Sequence, residues 1–271
     1  MIEISFEAFL NYLLKFNRII HGELLINNYT RYKTYYIMKP SNIKYFYVSG
    51  FVSNFTVFSN PNNSKNIYCY LHQVSNDCDF NIAIDSCKKI ITEEKSENKC
   101  LSSELHVFVT IEMAKKFQEY IDTYMLSKYG KKCELNGRIR HLSIKNMNEV
   151  NTTCKQHSMN DTNFGKREAE YFINYDWSGS YNAMGYYVNS QLVGIASYIF
   201  SEELNIAELD NIYIVPEFRN KGIGKELVYA VNSMYPEKLW LYQAGIKNES
   251  SLNLALSTGF SFVGAQLWIK S

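Results

Sequence analysis

The 271 residues are 46% hydrophobic and 20% charged, which supplies side chains for a real core and excludes a solvated, disordered chain. Twenty-eight Lys and Arg against 27 Asp and Glu leave a formal net charge of +1, without the electrostatic footprint of a nucleic-acid binder. The start, Met1-Ile2-Glu3-Ile4, lacks a basic and apolar leader, and no apolar run reaches bilayer-spanning length, so a soluble cytoplasmic protein without membrane or nucleic-acid partners is expected.

The length exceeds that of one ordinary domain, and two are expected. The chain opens on an apolar-periodic stretch, Phe6 to Ile20, followed by aromatic and β-branched runs at Thr34–Met38 and Ile43–Val48. Polar clusters at 60–64 and 93–98 read as loops, Leu105 to Ile111 as a strand and Glu112 to Leu126 as a helix. Gly130 and Asn136-Gly137 then punctuate the chain, which predicts an α/β domain over 1–137 and a second domain over 138–271.

All six cysteines (Cys69, Cys78, Cys87, Cys100, Cys133, Cys154) lie between 69 and 154. Without an export signal they are expected as free thiols. Cys69-x-x-His72 with Cys78 and Cys87 could be counted as four zinc ligands, but the gaps lack the paired short spacings of zinc sites, so no metal is expected.

From Arg138 the pattern sharpens: a strand at 138–144, helical stretches at 146–157 and 165–174, then two alternating strands, 182–188 and 192–201, around a tight turn. A strand at 205–215, a helix at 222–234, a strand at 238–243, a helix at 249–257 and a last strand at 260–269 complete it. Alternating strands and helices predict a partly parallel mixed sheet.

The most informative stretch runs from Leu209 through Val215-Pro216-Glu217-Phe218-Arg219-Asn220-Lys221-Gly222-Ile223-Gly224-Lys225. Glycines at 222 and 224 let backbone amides at a helix start approach an anion, with the helix dipole behind them and Arg219, Lys221 and Lys225 adding positive charge. A nucleotide P-loop fails, because Arg219 stands where its first glycine belongs and Glu226 follows Lys225. A dinucleotide fingerprint fails at Leu227. What fits is Arg-x-x-Gly-x-Gly behind a strand ending in Val-Pro-Glu, and here the chain resembles the GNAT superfamily of acetyl-CoA-dependent N-acyltransferases. A second motif, Asn248, then a helix, then Gly259-Phe260, extends the resemblance over 138–271.

The resemblance implies an α/β (α+β) fold with a GNAT-like mixed sheet flanked by helices in the second half. The first half could be a degenerate copy that lacks the glycine loop and so binds no CoA. It further implies that the backbone of Tyr213, Ile214 and Val215 holds the pantetheine arm of acetyl-CoA. Asn220, Lys221, Gly222, Ile223, Gly224 and Lys225 hold the pyrophosphate beside Arg219, and Asn248 contacts the pantetheine. The implied chemistry is attack of a neutral primary amine, on a small molecule or a peptide, on the thioester carbonyl.

The chain departs from the family pattern in three places, the last of them a pair of strand positions. Ala255 stands where many members carry a tyrosine acid, Gln243 where some carry a carboxylate, and Leu209 and Asn211 where others carry bases. Glu208 and Asp210 are the nearby carboxylates and the candidate bases, with a strand bulge able to change the face they present. Tyr213 and Tyr242 are weaker candidates for the acid, in a chain with 22 tyrosines. Trp177, Tyr181, Tyr186, Tyr187 and Tyr198 could line an aromatic acceptor pocket or belong to the core.

Residues 166–271 carry eight basic and eleven acidic side chains, a balance that suits an amine acceptor. Only 12 residues follow Gly259, too few for two further strands, so the first half or a second protomer of a homodimer is expected to cover the sheet edge. The competing readings are a non-catalytic acyl-CoA-binding or regulatory protein, motivated by the three departures, and a two-domain binding module using the tyrosine-rich first half.

Overall fold

The computed structural model describes residues 1–16, 43–59, 65–98, 102–159, 161–174, 182–202 and 204–270. The strand expected at Thr34–Met38, the loop at 60–64, Trp177 and Tyr181 lie outside the described residues. The chain divides into two compact units, Met1–Met125 with Phe262–Ser271, and Leu126–Ser261.

In the first unit β1 (Ile2–Glu3), β2 (Ile43–Val48), β3 (Phe51–Ser59), β4 (Lys65–Gln73) and β5 (Ser102–Thr110) lie side by side in chain order. All neighbours are antiparallel except β4 and β5, which are parallel. A parallel pair needs a crossover, and α2 (Phe80–Asn98) supplies it; α1 (Phe6–Phe16) precedes β2. Ile84, Cys87 and Ile91 of α2, at spacings of three and four, pack on Phe51, Leu71 and Val107 of the sheet.

The second unit repeats this order. β7 (Ile139–Leu142), β8 (Asn182–Val188), β9 (Gln191–Ser201) and β10 (Ile206–Ile214) are antiparallel neighbours, and β10 runs parallel to β11 (Leu239–Gly245) across α6 (Ile223–Met234). Helices α4 (Met147–Ser158) and α5 (Asn163–Ile173) fall between β7 and β8, and α7 (Glu249–Ser257) follows β11. The β8–β9 turn is the two residues Asn189 and Ser190, both at positive φ (48° and 63°), as a primed hairpin turn requires. Trp240, Tyr186, Tyr198, Tyr213 and Phe172 fill the core as fully buried side chains. The architecture is the expected mixed α/β, and the first unit has the strand order of a second copy.

The division differs from a boundary at 137/138 in two segments. Residues 126–137 go with the second unit: Gly130 N donates to Lys238 O (3.0 Å), Cys133 Sγ to Tyr229 O (3.3 Å), and Asn136 Nδ2 to Glu226. Residues 262–271 go with the first, since β12 (Ser261–Ile269) pairs with β5 from Gly264↔Thr110 to Ile269↔Leu105. The β11 edge of the second unit is flanked by β6 (Ile121–Tyr129), whose Leu126–Tyr129 end belongs to that unit.

Two local expectations are overturned. Residues 93–98 continue α2 rather than form a loop, because Glu, Lys and Ser suit the solvent face of a helix already anchored by Ile91. The helix expected over Glu112–Leu126 is only α3 (Ile111–Ala114), capped by Thr110, before the chain turns into β6. Ile121 and Met125 mimic a helical spacing, but Ile-Asp-Thr-Tyr is β-branched and aromatic and pairs as strand.

Cys69 and Cys87 are buried free thiols in the first core; burial, then Cys87, pushes the Cys69 thiol well above its ordinary range. His72, fully buried, stacks on Phe108 at 4.7 Å. Among the described residues no group of His, Cys, Asp and Glu is arranged to hold a metal ion. Among the same residues no helix is long and apolar enough to cross a membrane.

Candidate active site

After β10 the segment Pro216–Phe218 makes one 3-10 turn, and the chain enters α6 through Asn220 (φ 60°) and Gly222 (φ 81°, ψ −6°). Gly222 is the N-cap, in the left-handed region that glycine adopts without steric cost. It offers no capping side chain, so the first amides of α6 are left for another partner. A Cβ on Gly222 would meet nothing within 4 Å, which leaves room for a group to approach the backbone. Leu227, Val228 and Val231 are fully buried behind this start and hold it against the sheet.

The helix start closes one end of a cleft of about 970 Å³. Its walls are α5 from Thr162 to Tyr171, the outer half of β10, the end of β11 and the first turns of α7. The cleft exists because β10 and β11 separate: their pairing stops at Leu209↔Tyr242, while β10 continues to pair with β9 as far as Ile214↔Gly194. A bulge at Asp210, between Leu209 and Asn211, falls at the point of separation and turns Asp210 into the cleft.

Of the residues expected to hold a cofactor, Ile214, Arg219, Asn220, Gly222, Ile223, Gly224, Lys225 and Asn248 line this cleft. The side chains of Tyr213 and Val215 are fully buried, so only their backbone is at the strand end, and Val215 N already donates to Val193 O (2.9 Å). Lys221 stands over the Phe218 ring at 4.9 Å, outside the lining. Arg219 has other partners: Nη1 and Nη2 donate to the two carboxylate oxygens of Asp161 at 2.8 and 2.6 Å, and Nε donates to Ile214 O at 2.9 Å. Its guanidinium therefore braces the strand end, while Arg167, Lys225 and Lys247 are exposed cations of the cleft. Asn248 caps α7, its Oδ1 accepting from Ser251 N at 3.1 Å.

The two carboxylates expected as bases separate. Glu208 is buried within the sheet, where Gln243 Nε2 donates to its Oε1 at 3.3 Å, and it does not line the cleft. Asp210 is exposed in the cleft and accepts from the Tyr171 hydroxyl. Sequence reading along β10 missed a third carboxylate, Glu168 of α5, half-buried in the same cleft. Burial pushes its carboxyl up to about 7 with help from Asp161, against Arg219, Arg167 and the Asn248 amide, which pull it down. The available signal was the spacing Phe164, Glu168, Tyr171, which sets the three on one face of α5.

Ala255 is fully buried and does not line the cleft. Tyr242 does, with its hydroxyl 2.9 Å from Ser251 Oγ; burial pushes it up to about 12, with Ser251 opposing and Glu168 adding to the shift. Tyr186, Tyr187 and Tyr198 of the proposed aromatic pocket are core residues instead, with hydroxyls directed to Glu226, Glu149 and His141.

The equivalent helix start in the first unit is built differently. Asp79 Oδ1 accepts from Ile82 N (3.0 Å) at the head of α2, beside Asp77. Its first turn is already capped by a carboxylate, which repels an anion where Gly222 leaves room for one.

Residues 148–260 match the family model described as Acetyltransferase (GNAT) family. No curated protein matches the chain. Among solved structures, a Drosophila protein covers 99% of this chain and 97% of its own at 12% identity and a TM-score of 0.56. A functionally unknown conserved protein from Staphylococcus epidermidis covers 87% and 96% at 15% identity and 0.50. An acetyltransferase from the GNAT family of Colwellia psychrerythraea covers 90% and 97% at 12% identity and 0.48. An open, glycine-led helix start beside two separating strands thus lies within the segment, residues 148–260, that matches the acetyltransferase (GNAT) family model.

Proposed function

We propose that the second unit is an acetyl-CoA-dependent N-acetyltransferase acting on a primary amine. The observation that carries this reading is the uncapped, glycine-led start of α6 at one end of a cleft whose other end is the β10–β11 separation. The residues fit the donor: the Gly222–Lys225 amides and Lys225 would hold its pyrophosphate, and the β10 backbone beyond Leu209 its pantetheine arm. When bound, acetyl-CoA supplies an activated thioester carbonyl.

The chain's own part is to hold the amine in line and to manage its proton. An amine at neutral pH arrives as a cation, and the carboxylates of Asp210 and Glu168 in the cleft attract it. Backbone amides freed where β10 leaves β11 face the carbonyl oxygen as charge develops on it. Tyr242, bonded to Ser251, is the hydroxyl that could donate to the departing sulfur in place of a residue at Ala255.

Calorimetric titration with acetyl-CoA and CoA tests the reading, with Gly224→Trp as the blocked variant. Gly224 is preferable to Gly222 for this purpose because it is helical, while position 222 would be strained by any side chain. Micromolar binding lost in the variant, followed by acetylation of an amine, is expected. Binding without turnover of any amine would favour the regulatory reading, and no binding by folded protein would remove both.

A further inference from the structure

We infer that Glu168 of α5, rather than Glu208 or Asp210 of β10, is the catalytic base that takes the proton from the acceptor amine. This rests on the N-acetyltransferase reading above and assigns the one step that β10 leaves without an owner.

The geometry separates the three carboxylates. Glu208 is buried in the sheet against Gln243 and outside the cleft. Asp210 is in the cleft but exposed, with the Tyr171 hydroxyl already donating to it. Glu168 lies one helical turn before Tyr171 on the same face of α5, lines the cleft and is half-buried. The groups that act on it come from several elements. Arg219 comes from the turn after β10, Asp161 from the chain before α5, Arg167 from its own helix, Asn248 from the head of α7, and Tyr242 from β11. The balance of burial against these charges raises the carboxyl to about 7, where a base is both free to accept a proton at neutral pH and strong enough to compete for one.

The step balances as follows. The ammonium loses one proton to the Glu168 carboxylate, which releases it to solvent, and the freed nitrogen lone pair forms the C–N bond. The C–S bond breaks with its electron pair on sulfur, while the now positively charged nitrogen gives up its second proton to Glu168, from which it passes to the thiolate, leaving a neutral amide and the CoA thiol. Asp210, held by Tyr171, keeps the cationic end of the acceptor near the thioester.

The carboxyl is titrated first in the ligand-free protein by isotope-edited NMR of glutamate side chains, with Glu168→Gln as the assignment. A midpoint near the value of about 7 that vanishes in the variant is expected; a midpoint in the ordinary carboxylate range overturns the assignment whatever the protein catalyses. Turnover of acetyl-CoA with spermidine, kanamycin and an alanine-initiated peptide is then followed against pH for wild type, Glu168→Gln and Glu168→Asp. Acetyl-CoA affinity by calorimetry serves as the folding control.

The expected result is unchanged affinity, a loss in kcat/KM on the order of 10² to 10⁴ for Glu168→Gln with its acidic limb abolished, and a limb retained by Glu168→Asp. Wild-type turnover in Glu168→Gln with the limb unmoved overturns the assignment and leaves the acetyltransferase reading standing. Absence of turnover in the wild type with all three amines removes that reading, and the assignment with it.

Discussion

Asp161 grips the guanidinium of Arg219 with both carboxylate oxygens, at 2.8 and 2.6 Å, from a side chain only 1% exposed. Since Arg219 also donates to Ile214 O, this one pair ties the residues before α5 to the end of β10, the two walls between which the cleft opens. Arg219→Ala should leave a buried carboxylate behind and destabilise by about 2 to 3 kcal/mol, moderated because Arg219 is partly exposed. Arg219→Lys should rescue little of it, as an ammonium cannot replace two parallel donors. Urea unfolding of the three proteins measures this.

Gly165 is what allows that pair to form. A Cβ at this position would stand 2.3 Å from the carboxyl carbon and both oxygens of Asp161. Gly165→Ala should therefore push Asp161 off Arg219, even though alanine is the better helix former in isolation. In a double-mutant cycle with Arg219→Ala the losses should fall short of additive, because both remove the same contact. Additive losses would mean that the two positions act separately.

The parts of this site that were legible in the sequence are those in which backbone demand dictates residue type. A left-handed N-cap and a close backbone approach leave glycines at 222 and 224, and the capping role of Asn248 leaves an Asn ahead of an apolar helix. Glu168 was not legible for the opposite reason. It stands 42 positions before Asp210, and only the packing of α5 over the separated strands brings it into the cleft. The role of Arg219 was hidden likewise, since its charge reads equally as a phosphate ligand or as half of a pair with a distant Asp161. β6 failed on period, because Ile121 and Met125 suit a helix and a strand alike until β-branching decides.

A second ion pair inverts the usual link between exposure and cost. Lys238 is 1% exposed, yet its partner Glu202, 2.6 Å away, is 71% exposed; Phe200 and Tyr235 face the ammonium at 5.7 and 5.5 Å. Glu202→Gln should cost about 1 to 3 kcal/mol despite lying at the surface, because it weakens the compensation of a buried ammonium. Lys238→Met should cost less than that, since it removes the charge along with the need for a partner. Chemical denaturation of both variants gives the order, and the reverse order would show that Glu202 contributes no more than an ordinary surface charge.

Lys128 supplies a test by pH. Its Nζ donates to Thr258 O at the end of α7 (2.8 Å) and lies 5.3 and 4.9 Å from the Tyr229 and Phe260 rings. Burial lowers its ammonium from 10.5 to about 8, with Cys133 opposing. Between about 8 and 10.5 the unfolded chain therefore holds a proton here that the native state has released, so this group's contribution to stability rises with pH through that window and is absent once pH falls below about 8. The stability of wild type relative to Lys128→Met should accordingly be flat near neutrality and climb above about pH 8. A difference that stays flat to pH 10 would place the ammonium in water and away from the end of α7.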